Sequence, residues 1–229
     1  MAKGGSGYSE PTGGGRKPGA VNTEFILDMQ SKLYRWSKAA PDKRFGDVFN
    51  LVSDRRTLNY AWRRMARNAG SKTPGTDGVG RIQVEQRSGG VERFLDEIEA
   101  QLRDGTYRPQ PVRQRWIPKP GKPGRFRPLG IPTLKDRLVQ MALKLVLEPI
   151  FEADFYPTSF GFRRGRSTHD AIATIQRQVN PGRWGDTRVT YVIEGDIKGC
   201  FDNIDHHRLM ERVRRRITDR KVLRLVLAF

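Results

Sequence analysis

Helical periodicity is the first order in the chain. Phe25, Met29, Leu33 and Trp36 fall at i, i+4, i+8 and i+11, one face of a helix. Phe45, Val48, Phe49 and Val52 continue the pattern to Asp54, and Leu58, Ala61, Trp62, Met65 and Ala69 give a third helix ending at Gly70, where a left-handed cap costs little. Trp36 and Trp62 are expected in the core. Ser71 to Gly78 concentrates turn formers and reads as a loop; Val91, Phe94, Leu95, Ile98 and Leu102 then make another helix before Gly105.

Between Arg103 and Arg137 the pattern changes. Ten basic residues face only Asp104 and Asp136 and are interleaved with Pro109, Pro111, Pro118, Pro120, Pro123, Pro128 and Pro132. So many prolines forbid a long helix, and the stretch predicts a basic β-hairpin: Val112 to Ile117, a turn over Lys119 to Gly124, then Arg125 to Ile131. A helix over Leu134 to Leu147 should stop at Pro149. Thr168 should cap a helix carrying Ala171, Ile172, Ile175 and Val179 and ending before Pro181. The period then becomes two: Val189, Tyr191 and Ile193 alternate with Thr190, Val192 and Glu194, a strand with Asp196 at its end. A basic helix with Leu209, Val213 and Ile217 at four-residue steps closes the chain.

Composition narrows the classes. The 229 residues carry 43 Lys+Arg against 25 Asp+Glu, a formal charge of +18, and 36% are hydrophobic, enough for a core. Such a charge attracts polyanions, and nucleic acid is the expected partner. No stretch approaches the ~18 uncharged apolar residues of a membrane span. A membrane-surface protein ranks last, because the basic residues are spread over hairpin and loops. Residues 1–20 are Gly-rich with no apolar h-region and read as a disordered tail. Cys200 is the only cysteine, which excludes an internal disulfide and suits a cytoplasmic location.

The most informative stretch for chemistry is Glu194-Gly195-Asp196-Ile197-Lys198-Gly199-Cys200-Phe201-Asp202-Asn203-Ile204. A carboxylate at a strand end, followed by a Gly-containing turn, suits an octahedral Mg²⁺ site; equally, Asp196 serves as a plain turn cap. His206 and His207 with Cys200 lack zinc spacing.

Four ordered blocks shift the balance. Thr73-Pro74-Gly75-Thr76-Asp77-Gly78, then Trp116-Ile117-Pro118-Lys119-Pro120 with Arg125 to Pro132 and Lys135-Asp136-Arg137, then Ser159 to Ser167 with His169-Asp170-Ala171, and finally the Asp196 segment resemble the group II intron reverse transcriptases, or maturases. The likeness runs from about Phe25 to Phe229. It implies an α+β fold, the fingers of a right-hand polymerase (helices plus basic hairpin) with an incomplete palm sheet. An N-terminal extension and fingers would occupy 21–185 and the start of the palm 186–229.

By the same resemblance Asp196 is the first catalytic carboxylate, with the Ile197 carbonyl assisting it at Mg²⁺, and Phe201 is the steric gate that selects deoxynucleotides. Lys119, Arg125 and Arg127 would close over the incoming deoxynucleoside triphosphate. Arg113, Arg115, Arg163, Arg164 and Arg166 would contact template or intron RNA. Arg164 stands where relatives usually have Pro. The family's second palm motif, aromatic-x-Asp-Asp, does not occur in the 229 residues. The expectation is therefore an RNA-directed DNA polymerase when whole, acting with intron RNA, an RNA template and a DNA primer, and an inactive RNA-binding fragment as written. A second chain completing the palm, a non-enzymatic splicing cofactor, and a retron or diversity-generating reverse transcriptase are the alternatives. The unpaired Val189 to Asp196 strand should make the fragment marginally stable or self-associating.

Overall fold

The computed structural model describes residues 18–179, 189 and 191–229. Residues 1–17 of the tail expected over 1–20 lie outside the described residues, as does the fingers–palm boundary near 185; Pro18, Gly19 and Ala20, expected in the tail, are helical instead. The elements run α1 (Pro18–Ala39), α2 (Phe49–Val52), α3 (Arg55–Ala66), α4 (Arg81–Gln86), α5 (Gly90–Arg103), β1 (Arg113–Pro118), β2 (Phe126–Ile131), α6 (Leu134–Glu152), α7 (Thr168–Val179), α8 (His206–Arg216) and α9 (Arg220–Ala228). The described fold is thus mostly helical, with one two-stranded antiparallel sheet.

Helix α6 is the axis of the core. It packs on α1, α2 and α3 and buries Leu138, Val139, Ala142, Leu145, Val146 and Ile150 completely or nearly so. Removing such side chains from water is worth roughly 1.5–3 kcal/mol each. Helix α5 packs on α3, where the Trp62 and Phe94 rings meet edge to face at 5.6 Å.

Pro149 does not end α6; the helix continues to Glu152. A proline inside a helix strands the carbonyl four residues earlier. Here that carbonyl, of Leu145, accepts from Gln30 Nε2 at 2.9 Å, and one turn on Ser37 Oγ donates to the Ile150 carbonyl at 2.7 Å. Two polar side chains of α1 therefore repair the ladder. Trp36, expected in the core, is 49% exposed, and the Lys43 ammonium lies 5.2 Å from its ring centre; the helix turns just enough for Ser37 to take the buried position.

The closing basic helix is two helices, broken at Ile217 to Asp219, and the break closes the fold. Phe45 and Ile217 form a parallel bridge, with Phe45 N donating to the Arg216 carbonyl at 2.8 Å and Thr218 N to the Phe45 carbonyl at 2.9 Å. Asp219, buried beside it, caps two helices at once. Its Oδ1 accepts from Lys221 N and Val222 N of α9, and its Oδ2 from Val48 N and Phe49 N at the start of α2. Arg216 is also buried and donates to the carbonyls of Ser37, Ala40 and Pro41 and to Ser37 Oγ; its Nε lies 3.3 Å from Asp154 Oδ2. The C-terminal helices are thereby fixed to the N-terminal ones.

The strand expected over Val189 to Asp196 is not present: Val189 and residues 191–196 have no regular structure and are exposed, Ile193 at 97%. A lone extended segment has no ladder to close its amides and carbonyls, and the sheet of the described residues holds only β1 and β2. Helix α7 likewise buries none of its residues. Its cap is Ser167, not Thr168: Ser167 Oγ and N both donate to Asp170 Oδ2 at 2.7 Å, and Asp170 N donates back to Ser167 Oγ at 3.3 Å. Gly70 sits in a 3-10 turn, Ala69–Lys72, and takes no left-handed cap.

Asp219→Ala removes four amide acceptors at one buried point and should cost about 2–3 kcal/mol of stability, the sum of two lost caps. Urea unfolding followed by circular dichroism checks this, and Asp219→Asn should lose less.

Candidate nucleic-acid interface

The hairpin is aimed by its base. Strand β2 runs through Pro132 into Thr133, the cap of α6, whose hydroxyl accepts from Asp136 N at 3.1 Å and donates to Asp136 Oδ2 at 2.7 Å. The fully buried Asp136 carboxylate also accepts from Tyr107 Oη at 2.6 Å and from Gln110 N at 3.1 Å, just before β1. Both ends of the hairpin are thus tied to one carboxylate. Burial first, and then the hydrogen bond to and charge of Asp136, raise the Tyr107 phenol well above its ordinary range.

The Thr73 to Gly78 loop braces the same point. Arg137 donates to the Gly70 carbonyl at 2.7 Å and the Thr73 carbonyl at 2.6 Å, and Thr76 Oγ1 donates to the Pro111 carbonyl at 2.9 Å. Gly75 is pressed against α6: a Cβ there would lie 2.6 Å from Thr133 Cα. Burial lowers the Arg137 guanidinium, offset in part by Asp77. Two blocks of the sequence, Thr73 to Gly78 and Lys135 to Arg137, therefore act mechanically.

Residues Arg113 to Pro118 pair with Ile131 to Phe126 in order, so side chains alternate between two faces. Arg113, Arg115 and Arg127 share one face with Ile117, Leu129 and Ile131. Trp116, Pro118, Phe126 and Pro128 share the other, and Trp116 and Phe126 are 61% and 55% exposed. The tip is closed by Lys119 N donating to the Arg125 carbonyl at 2.9 Å and Arg125 N to the Lys122 carbonyl at 3.1 Å, with Gly121 and Gly124 at φ +68° and +73°. Lys119, Lys122 and Arg125 consequently cluster there. Among the described residues none of Arg113, Arg115, Lys119, Lys122, Arg125 and Arg127 forms an ion pair, and Arg113 Nε is shielded from solvent with no acceptor. The hairpin is one basic face, one aromatic face and one basic tip. The period-two spacing of Trp116 with Pro118 and of Phe126 with Pro128 was the available signal for the aromatic face; sequence reasoning took only the basic one.

The three arginines of the Ser159 to Ser167 block part company. Arg163 has a side chain 6% exposed, paired with Glu152 at 2.6 Å and donating to the carbonyls of Tyr156 and Ser159, so its donors are spent inside the protein. This is a correction to its grouping with the RNA contacts: a guanidinium so enclosed holds the loop together. Arg166 donates to the Pro157 carbonyl and lies over Phe160 at 5.4 Å. Arg164 is exposed. Between Arg163 and its neighbours Phe162 adopts φ +58° and is almost fully exposed, a strained aromatic held by the surrounding turns.

Asp196 and Ile197 lie on the exposed segment. Behind them Gly199 at φ +59° turns the chain and accepts from Asn203 Nδ2 at 2.8 Å, and a 3-10 turn over Phe201–Asn203 leaves the Phe201 ring 77% exposed. Asp205 caps α8 through Arg208 N at 2.9 Å; that backbone hydrogen bond, the largest cause, holds its carboxyl below the usual range. No hydrogen bond or ion pair links Asp196, Ile197 or Phe201 to the hairpin among the described residues. Nor does any group of three His, Cys, Asp or Glu stand together there. One carboxylate and one adjoining carbonyl fall short of the six oxygens Mg²⁺ requires. The described residues therefore do not by themselves fit a two-ion centre.

The described residues are a mostly helical frame that carries a basic hairpin, followed by an Asp-bearing turn, and residues 117–229 match the reverse transcriptase (RNA-dependent DNA polymerase) family. The chain belongs to that family. Within it the chain is similar to group II intron-encoded protein LtrA of Lactococcus lactis subsp. cremoris, 41% identical over 207 residues, 90% of this chain and 32% of that protein. It is 41% identical to protein YkfC of Escherichia coli K12 over 201 residues, 88% of this chain and 51% of that one. It is also 32% identical over 140 residues, 61% of this chain and 19% of the relative, to nuclear intron maturase 1 of Arabidopsis thaliana. The chain thus spans about half or less of the relatives it matches. No helix among the described residues is long and apolar enough to cross a membrane.

Because the Tyr107 proton is held more tightly in the folded than in the unfolded protein, its contribution is complete below about pH 10 and is lost as pH rises further. Tyr107→Phe should cost about 1–2 kcal/mol at neutral pH. In guanidinium titrations the gap to the wild type should narrow above about pH 10; a gap constant to pH 11 refutes the coupling.

Proposed function

We propose that this chain is the nucleic-acid-gripping fingers of a group II intron reverse transcriptase, an RNA-directed DNA polymerase in the full-length protein, and that the 229-residue chain alone binds RNA without synthesising DNA. The observation that carries the reading is the hairpin: six cations without carboxylate partners on one face and tip, against an exposed aromatic face. Most protein contacts to nucleic acid go to phosphates, and exposed rings stack on bases without regard to sequence. Guanidinium groups suit the phosphates because they donate in a planar fork.

Lys119, Arg125 and Arg127 are assigned to the incoming deoxynucleoside triphosphate, Arg113 and Arg115 to the template strand, and Phe201 to the sugar of the nucleotide. Asp196 with the Ile197 carbonyl is assigned to Mg²⁺ in the full-length enzyme, where the ion would lend positive charge to the reacting phosphates. The likeness to LtrA, named as group II intron-encoded, supports intron RNA as the partner. So does the likeness to a protein named as an intron maturase.

The test is RNA binding and primer extension by the same preparation. With no triphosphate present Arg127 is open to the strand beside Arg113 and Arg115, and replacing the three together by Gln should flatten the slope of log K against log salt by about 2, at ~0.7 per single-strand phosphate contact. Primer extension on an RNA template with Mg²⁺ should give no product that depends on Asp196. Robust synthesis lost in Asp196→Ala would overturn the claim that the chain alone is inactive, and a salt slope unchanged in the triple variant would overturn the role of the hairpin face. Stronger binding to an intron RNA than to a random RNA at equal salt distinguishes intron recognition from plain electrostatic attraction.

A further inference from the structure

We infer that Arg63, Arg64 and Arg67 of α3 and its cap, together with Arg164, form a second, separate pocket for the phosphates of a bound RNA strand; this rests on the RNA-binding reading above. A depression of about 330 Å³ is lined by Thr23, Tyr60 and these four arginines, and no carboxylate lines it.

Basic residues at a helix C-terminus have an ordinary explanation, since they complement the negative end of the helix dipole. That covers Arg63 and Arg64, in the last turn of α3, and Arg67, which is its cap. It does not cover Arg164, which arrives from a loop about a hundred residues later. Arg64, Arg67 and Arg164 are exposed and form no ion pair among the described residues. The carboxylates that line the adjoining depression with Arg164, Glu148 and Glu152, are already engaged by Lys144 at 3.5 Å and Arg163 at 2.6 Å. Arg64, Arg67 and Arg164, exposed and with no ion pair among the described residues, gain most from an anion with several oxygens, and a nucleic-acid strand supplies a row of them.

Thr23 and Tyr60 complete the lining, and the Tyr60 hydroxyl can donate to a phosphate oxygen. The pocket is built on the rigid helical frame, whereas the hairpin is anchored at its base only. An RNA strand would accordingly meet two footholds, one on the frame and one on the arm.

The test uses the full 229-residue chain, a short single-stranded RNA, and fluorescence anisotropy over a range of salt. Arg64→Gln with Arg67→Gln should lower the salt slope by about 1.4, and Arg164→Gln by about 0.7. Arg164→Pro should match Arg164→Gln. Arg93→Gln, a charge loss on α5, serves as the control and should leave the slope within error of wild type, and circular dichroism should show all variants folded. If the wild type binds RNA and the pocket variants follow Arg93→Gln, the pocket is overturned while the hairpin reading stands. If the wild type does not bind RNA at low salt, both fail. A slope lowered only by the pocket variants establishes the site.

Discussion

The hairpin that points outward from this fold depends on one buried carboxylate. Asp136 sits in the first turn of the central helix and receives the Thr133 hydroxyl, the Tyr107 phenol and the Gln110 amide. These three come from the two chain segments that enter and leave the hairpin. A two-stranded sheet is marginal by itself, and this one has no third strand among the described residues and buries little. Its orientation is inherited from the helix beneath it. Arg137, the next residue, fastens the Thr73 to Gly78 loop to the same spot, and Gly75 is needed because no Cβ fits against Thr133. Motif residues that look chemical in a sequence are here the bearing on which a basic arm is mounted.

The longer core helices were legible because each buries a stripe of apolar residues at helical spacing, α7 by its spacing and cap alone, and the hairpin because prolines exclude the alternatives. What escaped is instructive in its causes. Pro149 was read as a stop because sequence shows the missing amide and not the Gln30 side chain, over a hundred residues away, that replaces it. The split of the last helix turned on Asp219, whose second set of partners lies in the N-terminal half. Trp36 was placed inside on period alone, though its neighbour Ser37 takes the buried spot. The alternation from Val189 was read as a strand, yet period two fixes only which side chains share a face. It does not supply a neighbour, and without one the backbone groups stay with water. Of the candidate site, the hairpin residues were found by charge and the Asp196 turn by its glycine. The four-arginine depression was not found, because its members lie about a hundred residues apart.

The division between frame and appendages has a functional sense. Helices α1 to α6 and α8 to α9 share a continuous core, and the Asp219 and Arg216 contacts lock its two ends together. The hairpin, the exposed segment around Asp196 and the outer face of α7 stand outside that core and carry most of the exposed aromatic and aliphatic surface. Such surface contributes nothing to the stability of the isolated chain. It is of use only against another surface: a base for Trp116 or Phe126, or another protein segment for Ile172 and Ile175. Local opening is cheapest where few buried contacts hold an element, so the arm can adapt to a strand while the frame keeps its shape.

Adjacent arginines show why charge does not assign function by itself. Arg163 and Arg164 are indistinguishable in a charge count, and both precede the same glycine. Arg163 turns inward, where Glu152 and two carbonyls take up its donors, and truncating it would break a loop. Arg164 turns outward beside three arginines of another helix and has no acid to answer it. A guanidinium that is enclosed and paired is a structural part; one that is exposed among its own kind is a cost to the free protein that only a polyanion removes. The hairpin cations and the Arg64, Arg67 and Arg164 group meet the second description. Part of the net charge of +18 is gathered on two separately supported surfaces, where like charges oppose folding and where the proposed RNA contacts would offset them.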